Sequence, residues 1–198
     1  MRGYVASVRI AVFVSGSGTL LEAILEAEVP VELIVADREC RALTLDSIGG
    51  IPTVLVERVS FGDSFDRDAY SEQIVDLLIS HRIDVVAMAG FGTILGEAVF
   101  EALPGRIINT HPALLPAFPG WHAVRDAMAA GVKVTGCTIH VATPVVDHGP
   151  ILAQEAVKVL AIDDEASLHE RIKIVERWLY VDTLRTIAQS GEVLGTPI

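Results

Sequence analysis

The amino-acid sequence predicts an α/β protein built on a doubly wound, mostly parallel sheet, with an antiparallel strand pairing near its C-terminal part. Three observations predict it. Short apolar, β-branched runs alternate with segments of helical period along most of the chain. Mean hydropathy is positive, although no uncharged apolar run reaches the roughly 20 residues of a membrane span; strands buried on both faces account for this. The last two strand-like runs have no helix between them, which calls for an antiparallel edge.

Residues 8–14 (VRIAVFV) read as the first strand. The loop 15–19 (SGSGT) opens a helix over 20–25, helical in composition and spacing. Residues 31–36 are a second strand, followed by Asp37. A short helix fits 41–48 and stops at Gly49 and Gly50. A third strand fits 51–56, and 61–64 is loop. Over 66–80, Tyr70, Ile74, Leu77 and Leu78 share one helical face. A buried strand at 84–89 is broken by Gly90, Phe91 and Gly92, and a helix at 94–102 ends before Pro104 and Gly105. Residues 106–109 make a fifth strand, after which Pro112, Pro116 and Pro119 bar a regular element. A helix at 123–130 stops at Gly131, and strands at 135–142 and 151–160 flank a loop at 143–150. A last long helix begins at Ser167, with Leu168, Ile172, Val175, Leu179 and Ile187 on one stripe. Asp163, Asp164 and Glu165 suit its positive end. With no repeat or linker, residues 1–198 read as a single domain.

The net charge of −11 speaks against a nucleic-acid partner. It does not exclude a phosphorylated small molecule, because a helix N-terminus binds phosphate without net positive charge. Cys40 and Cys137 make no disulfide framework, and residues 1–7 carry no secretory apolar segment. A reduced, cytoplasmic setting away from membranes is expected. His81, His122, His140, His148 and His169 lack metal-ligand spacing, so no metal is expected.

Three stretches carry chemistry. Ser15 to Thr19 lie between a strand and a helix, where glycines admit an anion to the open N–H groups of the helix start. The stretch is neither a full dinucleotide fingerprint nor a Walker loop, and a plain tight turn would also explain it. Asn109 and His111 stand where a strand meets a proline-locked loop, the ligand-binding end of α/β sheets. Two apart in extended chain, they point the same way. An imidazole exchanges protons near neutral pH, and a carboxamide donates to an oxyanion; together they suit addition to a carbonyl. Asp147 lies in a loop, where it is either a turn residue or, if it approaches His111, a charge that favours the imidazolium.

Taken together, Ser15-Gly16-Ser17-Gly18, Ala89-Gly90-Phe91, Asn109-Thr110-His111-Pro112-Ala113-Leu114-Leu115-Pro116 and Asp147-His148-Gly149-Pro150 resemble the phosphoribosylglycinamide formyltransferases, folate-dependent enzymes of purine synthesis. The resemblance covers nearly the whole chain and implies a Rossmann-like formyltransferase fold. It implies a catalytic triad of Asn109, His111 and Asp147: His111 donates a proton, Asp147 favours its charged form, and Asn109 binds the formyl oxygen. It implies that Gly16, Ser17, Gly18, Thr19 and Leu20 hold the phosphate of glycinamide ribonucleotide, with Glu170 as a further ribonucleotide contact. Arg67, Gly92, Thr93, Ile94, Leu95 and Asn109 would bind the folate. The implied reaction moves a formyl group from 10-formyltetrahydrofolate to the substrate amine through a tetrahedral intermediate, without metal, in a monomer or homodimer.

Two departures stand out. Leu20 replaces a frequent Asn in the phosphate loop, and Gly92-Thr93 replaces the usual Met-Arg, removing an apolar contact and a cation near the folate. Among enzymes sharing the central motif, methionyl-tRNA formyltransferase would need an added tRNA-binding domain and basic surface. Formyltetrahydrofolate deformylase would need an N-terminal regulatory domain. A non-catalytic nucleotide-binding module would explain the glycine loop but not Asn109, His111 and Asp147 together.

Overall fold

Strand β1 (Ile10–Val14) is buried throughout, and its side chains divide between two cores as the pleat requires. Ile10, Val12 and Val14 join one, with Leu21, Ile24, Leu168 and Ile172. Ala11 and Phe13 join the other, with Tyr70, Ile74 and Val99. A strand apolar on both faces belongs in a sheet covered by helices on both sides. The computed structural model describes residues 8–198; the reading of 1–7 as free of a secretory segment lies outside the described residues.

Among those residues the main sheet has seven strands in the order β3 (Thr53–Leu55), β2 (Val31–Ala36), β1, β4 (Val85–Met88), β5 (Ile107–His111), β6 (Val134–Val141) and β7 (Ile151–Lys158). β1 to β5 pair in parallel, and β6 is antiparallel to both β5 and β7. Helices α1 (Thr19–Glu26) and α5 (Glu165–Ser190) cover the first core; α2 (Arg67–Ser80) and α3 (Glu97–Ala102) cover the second. α4 (Ala123–Ala129) lies between β5 and β6 in sequence, and a small ribbon, β8 (Glu192–Val193) with β9 (Thr196–Pro197), follows α5. The fully buried Tyr180 of α5 donates its hydroxyl to the carbonyls of Ile108 at 2.8 Å and Met88 at 3.3 Å, locking the helix onto the centre of the sheet. No helix of the described residues is long and apolar enough to cross a membrane.

Several elements differ from expectation for local reasons. The helix expected at 41–48 is two 3-10 turns, Arg41–Thr44 and Asp46–Ile48, and the loop at 61–64 contains another, Gly62–Ser64. α3 starts at Glu97 rather than 94, because Gly96 donates its N–H to the Ser71 hydroxyl at 2.7 Å and leaves Ile94 and Leu95 in the loop. β5 continues past Asn109, since β6 pairs Thr110 with Ile139 and His111 with Thr138. α5 starts at Glu165 because Asp164 caps it: the carboxylate accepts from the Ser167 N–H at 2.7 Å, and the Ser167 hydroxyl accepts from the Asp164 N–H at 3.0 Å.

Candidate active site

A cavity of about 670 Å³ opens at the carboxyl ends of β1, β4 and β5 and takes in the glycine loop, Asn109, His111 and Asp147. His111 ends β5 and is buried. Its Nε2 lies 2.8 Å from the Phe118 carbonyl and its Nδ1 lies 3.3 Å from Asp147 Oδ2. A carbonyl and a carboxylate only accept, so a proton on each ring nitrogen satisfies both partners. Asp147 also accepts the Gly120 N–H at 2.8 Å, from a backbone with φ +60°. The proline loop therefore clamps both members of the pair, one through a carbonyl and one through an N–H. Gly149 is dictated by the same turn, because a Cβ there would run into the Val141 carbonyl.

Asn109 Nδ2 lies 3.3 Å from His140 Nε2, and His140 Nδ1 lies 3.0 Å from the Val141 carbonyl. The Nδ1–H must donate to that carbonyl, which leaves Nε2 as the acceptor for one Asn109 N–H. Burial pushes the His140 imidazole below the ordinary histidine range, which favours this neutral form. The second Asn109 N–H remains for the cavity. His140, read from sequence only as a non-ligand, is thus what orients Asn109.

The loop after His111 is pinned from β6. Thr138 Oγ1 donates to the Ala113 carbonyl at 2.6 Å and accepts from the Leu115 N–H at 3.0 Å. Gln154 Nε2 reaches the Leu115 carbonyl at 2.8 Å and Thr138 Oγ1 at 2.9 Å.

Gly16 to Leu20 line the same cavity. Gly18 precedes α1 at φ +78°, with no side-chain cap, and the first helical bond runs from the Glu22 N–H to the Gly18 carbonyl at 2.8 Å. The N–H groups of Thr19, Leu20 and Leu21 thus stand outside the ladder, where an anion can take them. The Leu20 side chain is buried, so the polar group this position offers is its N–H. The Ala42 N–H and the Arg41 guanidinium brace the loop through the carbonyls of Gly16 (3.0 Å) and Ser17 (2.7 Å). A Cβ on Gly18 would come within 2.7 Å of Ala42 Cα.

Phe91, Ile94, Leu95, Phe100, Ala142 and Val146 give the cavity an apolar wall, and Gly92 and Thr93 lie beside it. Thr93 is buried, its hydroxyl donating to Asp37 Oδ2 at 2.7 Å. Burial alone would raise the Asp37 carboxyl, but hydrogen bonds from Arg38, Thr93 and Ser15 outweigh it and hold the group below the usual range. Asp37 thus anchors this loop. Arg67 is not in the His111 cavity. It borders an adjoining depression that shares Ile94 and Leu95 and carries Glu72, Glu97 and Glu101.

Glu170 is a correction. Its side chain is 66% exposed, pairs with Lys173 at 2.7 Å and does not line the cavity. The α5 face toward the cavity carries His169, Lys173 and Glu176, spaced i, i+4, i+7, and Glu170 lies about 100° round from it. Glu176 accepts the Thr110 hydroxyl at 2.9 Å, and burial raises its carboxyl above the usual range. The helical stripe gave the signal for this face, had it been extended to polar positions. Among the described residues no group of histidine, cysteine or acidic side chains could hold a metal.

A buried imidazole between a carboxylate and a carbonyl, an oriented carboxamide and a glycine loop around one cavity form a site for acyl-group transfer. Residues 8–184 match the family model described as formyl transferase. A phosphoribosylglycinamide formyltransferase of Mycobacterium tuberculosis is 46% identical over 94% of this chain and 87% of its own length. That of Bacillus subtilis is 33% identical over 90% of this chain and 94% of its own. The crystal structure of the Bacillus halodurans phosphoribosylglycinamide formyltransferase superposes with a TM-score of 0.85 at 38% identity, covering 94% of this chain and 98% of that one. The chain belongs to the phosphoribosylglycinamide formyltransferase family.

Proposed function

We propose that the protein transfers the formyl group of 10-formyltetrahydrofolate to the amine of glycinamide ribonucleotide, a step of de novo purine synthesis, and that Asn109, His111 and Asp147 perform the chemistry. The observation that carries the reading is the His111–Asp147 pair at 3.3 Å, in one cavity with the glycine loop and an Asn109 held by His140. The phosphate meets the N–H groups at the start of α1, and the folate lies along the apolar wall. Attack of the amine on the formyl carbon places negative charge on the formyl oxygen. The open Asn109 N–H donates to that oxygen. The His111 Nε2–H is committed to the Phe118 carbonyl, so the proton His111 offers is on Nδ1, beside Asp147. The amine gives up one proton and the departing folate nitrogen takes one up, so the transfer consumes no external acid or base. His111 and Asp147 stabilise the charge between those two events.

The test is turnover by the purified protein. Defined 10-formyltetrahydrofolate and glycinamide ribonucleotide should yield formylglycinamide ribonucleotide and tetrahydrofolate in equal amounts. Formate release without ribonucleotide consumption would instead identify a deformylase.

A further inference from the structure

We propose that Asp37 is a positioning residue for the folate: it holds segment 90–95 in the one arrangement that receives this ligand, and the ribonucleotide's end of the cavity does not depend on it. The inference rests on the function proposed above. Gly90, at φ +74°, and Gly92 leave the segment few conformational limits of its own. On either side the chain is tied down: the Ala89 N–H donates to the Phe13 carbonyl at 2.8 Å, and the Gly96 N–H to the Ser71 hydroxyl at 2.7 Å. Between those points, the described residues show two hydrogen bonds. The Gly92 N–H donates to the Ser15 hydroxyl at 2.7 Å, and the Thr93 hydroxyl donates to Asp37 Oδ2 at 2.7 Å. Both lead to Asp37, because the Ser15 hydroxyl that accepts from Gly92 gives its proton to the same carboxylate.

Asp37 directly follows β2, and its side chain is fully buried. Arg38 grips it as a fork, Nε to Oδ1 and Nη2 to Oδ2, both at 3.0 Å. A buried carboxylate costs stability unless such donors surround it. An apolar side chain would fill the same space without that cost, but it would not choose among the conformations open to a loop with two glycines. A carboxylate with fixed donors does, and a strand end gives it a rigid base. A Cβ on Gly92 would stand 3.5 Å from Arg38 Nη2, 3.6 Å from Ser15 Oγ and 3.6 Å from Trp121 Cη2, so the segment rests directly on this network. Phe91, Ile94 and Leu95 line the cavity and Asp37 does not, so it acts through Thr93 and Ser15. The glycine loop has braces of its own, the Ala42 N–H on the Gly16 carbonyl and Arg41 on the Ser17 carbonyl. Loss of Asp37 should therefore loosen the wall of one ligand and spare the cradle of the other.

Isothermal titration calorimetry reads the Kd of each ligand without turnover. Asp37→Asn keeps the size but turns an amide donor toward groups that themselves donate. It should weaken 10-formyltetrahydrofolate about tenfold or more, the scale of a hydrogen bond to a charged group, and leave the Kd of glycinamide ribonucleotide within about twofold. Thr93→Val removes only the hydroxyl and leaves Asp37 paired with Arg38 and Ser15, so it decides the matter even where Asp37→Asn does not fold. It should weaken the folate about three- to tenfold, and Thr93→Ser should restore the parent value. The double variant should bind folate no worse than Asp37→Asn alone, because both changes break the same contact. A folate Kd like the parent's in Thr93→Val overturns the proposal. Equal weakening of both ligands overturns it too, since that is what a residue serving stability alone would give. Absence of formyl transfer by the parent, with the folate still bound, would instead overturn the functional reading beneath it.

Discussion

His111 is gripped at both ring nitrogens, and Asp147 is the partner that carries charge. Asp147→Asn keeps the size, tolerates the positive φ and can still accept the Gly120 N–H. It should lower kcat by roughly 10²-fold or more, the scale of general acid–base contributions, with both KM values little changed. A kcat like that of the parent would make Asp147 a turn residue only. His140 gives a second prediction. Burial lowers its folded-state pKa below the ordinary histidine value of about 6.5, so the folded state resists a proton that the unfolded state accepts. Stability should therefore be lost as pH falls below about 6.5. His169 has the same sign and Glu176 the opposite one, so the comparison to make is with His140→Gln. The parent should lose more melting temperature than the variant between pH 7 and 5, and equal slopes would remove His140 from the account. Activity should fall with it, because a protonated Nε2 cannot accept the Asn109 N–H.

At the scale of elements, β6 holds the loop that holds the site. Thr138→Val would strand the Leu115 N–H and remove the donor to the Ala113 carbonyl. A buried group left unpaired costs about 1–3 kcal/mol, so the variant should be about 2–3 kcal/mol less stable in denaturant unfolding. The loop carries the Phe118 carbonyl and the Gly120 N–H, so kcat should fall more than KM rises. A destabilised variant with unchanged kcat would show that the loop keeps its geometry without Thr138.

For the whole molecule, the cavity lies between α1, α5 and the strand ends, so ligands bound there as proposed should stabilise the complete fold. A ligand at about 100 times its Kd adds about 2.7 kcal/mol, which raises Tm by about 5–10 °C in a chain of this size. Glycinamide ribonucleotide alone should produce that rise in a thermal-shift measurement. No rise at saturation would mean that the glycine loop is not formed until folate binds.

The strands and their order of appearance were legible because the sheet is apolar on both faces, and burial leaves its mark on every residue of β1 and β4 and on the last four of β2. Asn109, His111 and the glycine loop were legible because prolines and glycines mark where strands end. Element ends were less so: β5 runs to His111 because β6 lends it partners, and α3 starts late because Ser71, from another helix, caps the turn before it. Glu170 was expected at the cavity and stands outside it, with Glu176 lining it instead, because the apolar stripe alone does not say which polar neighbours face the strand ends. The sequence by itself determined the fold class, the family and the residue types of the reaction, since these follow from local pattern and from a motif contiguous in the chain. Tertiary structure alone decided that Asp147 meets His111, that His140 orients Asn109 and that Trp121 and Arg38 meet over Gly92. Those contacts join segments about 30 to 80 residues apart, and only the packing of loops at one edge of the sheet sets their distances.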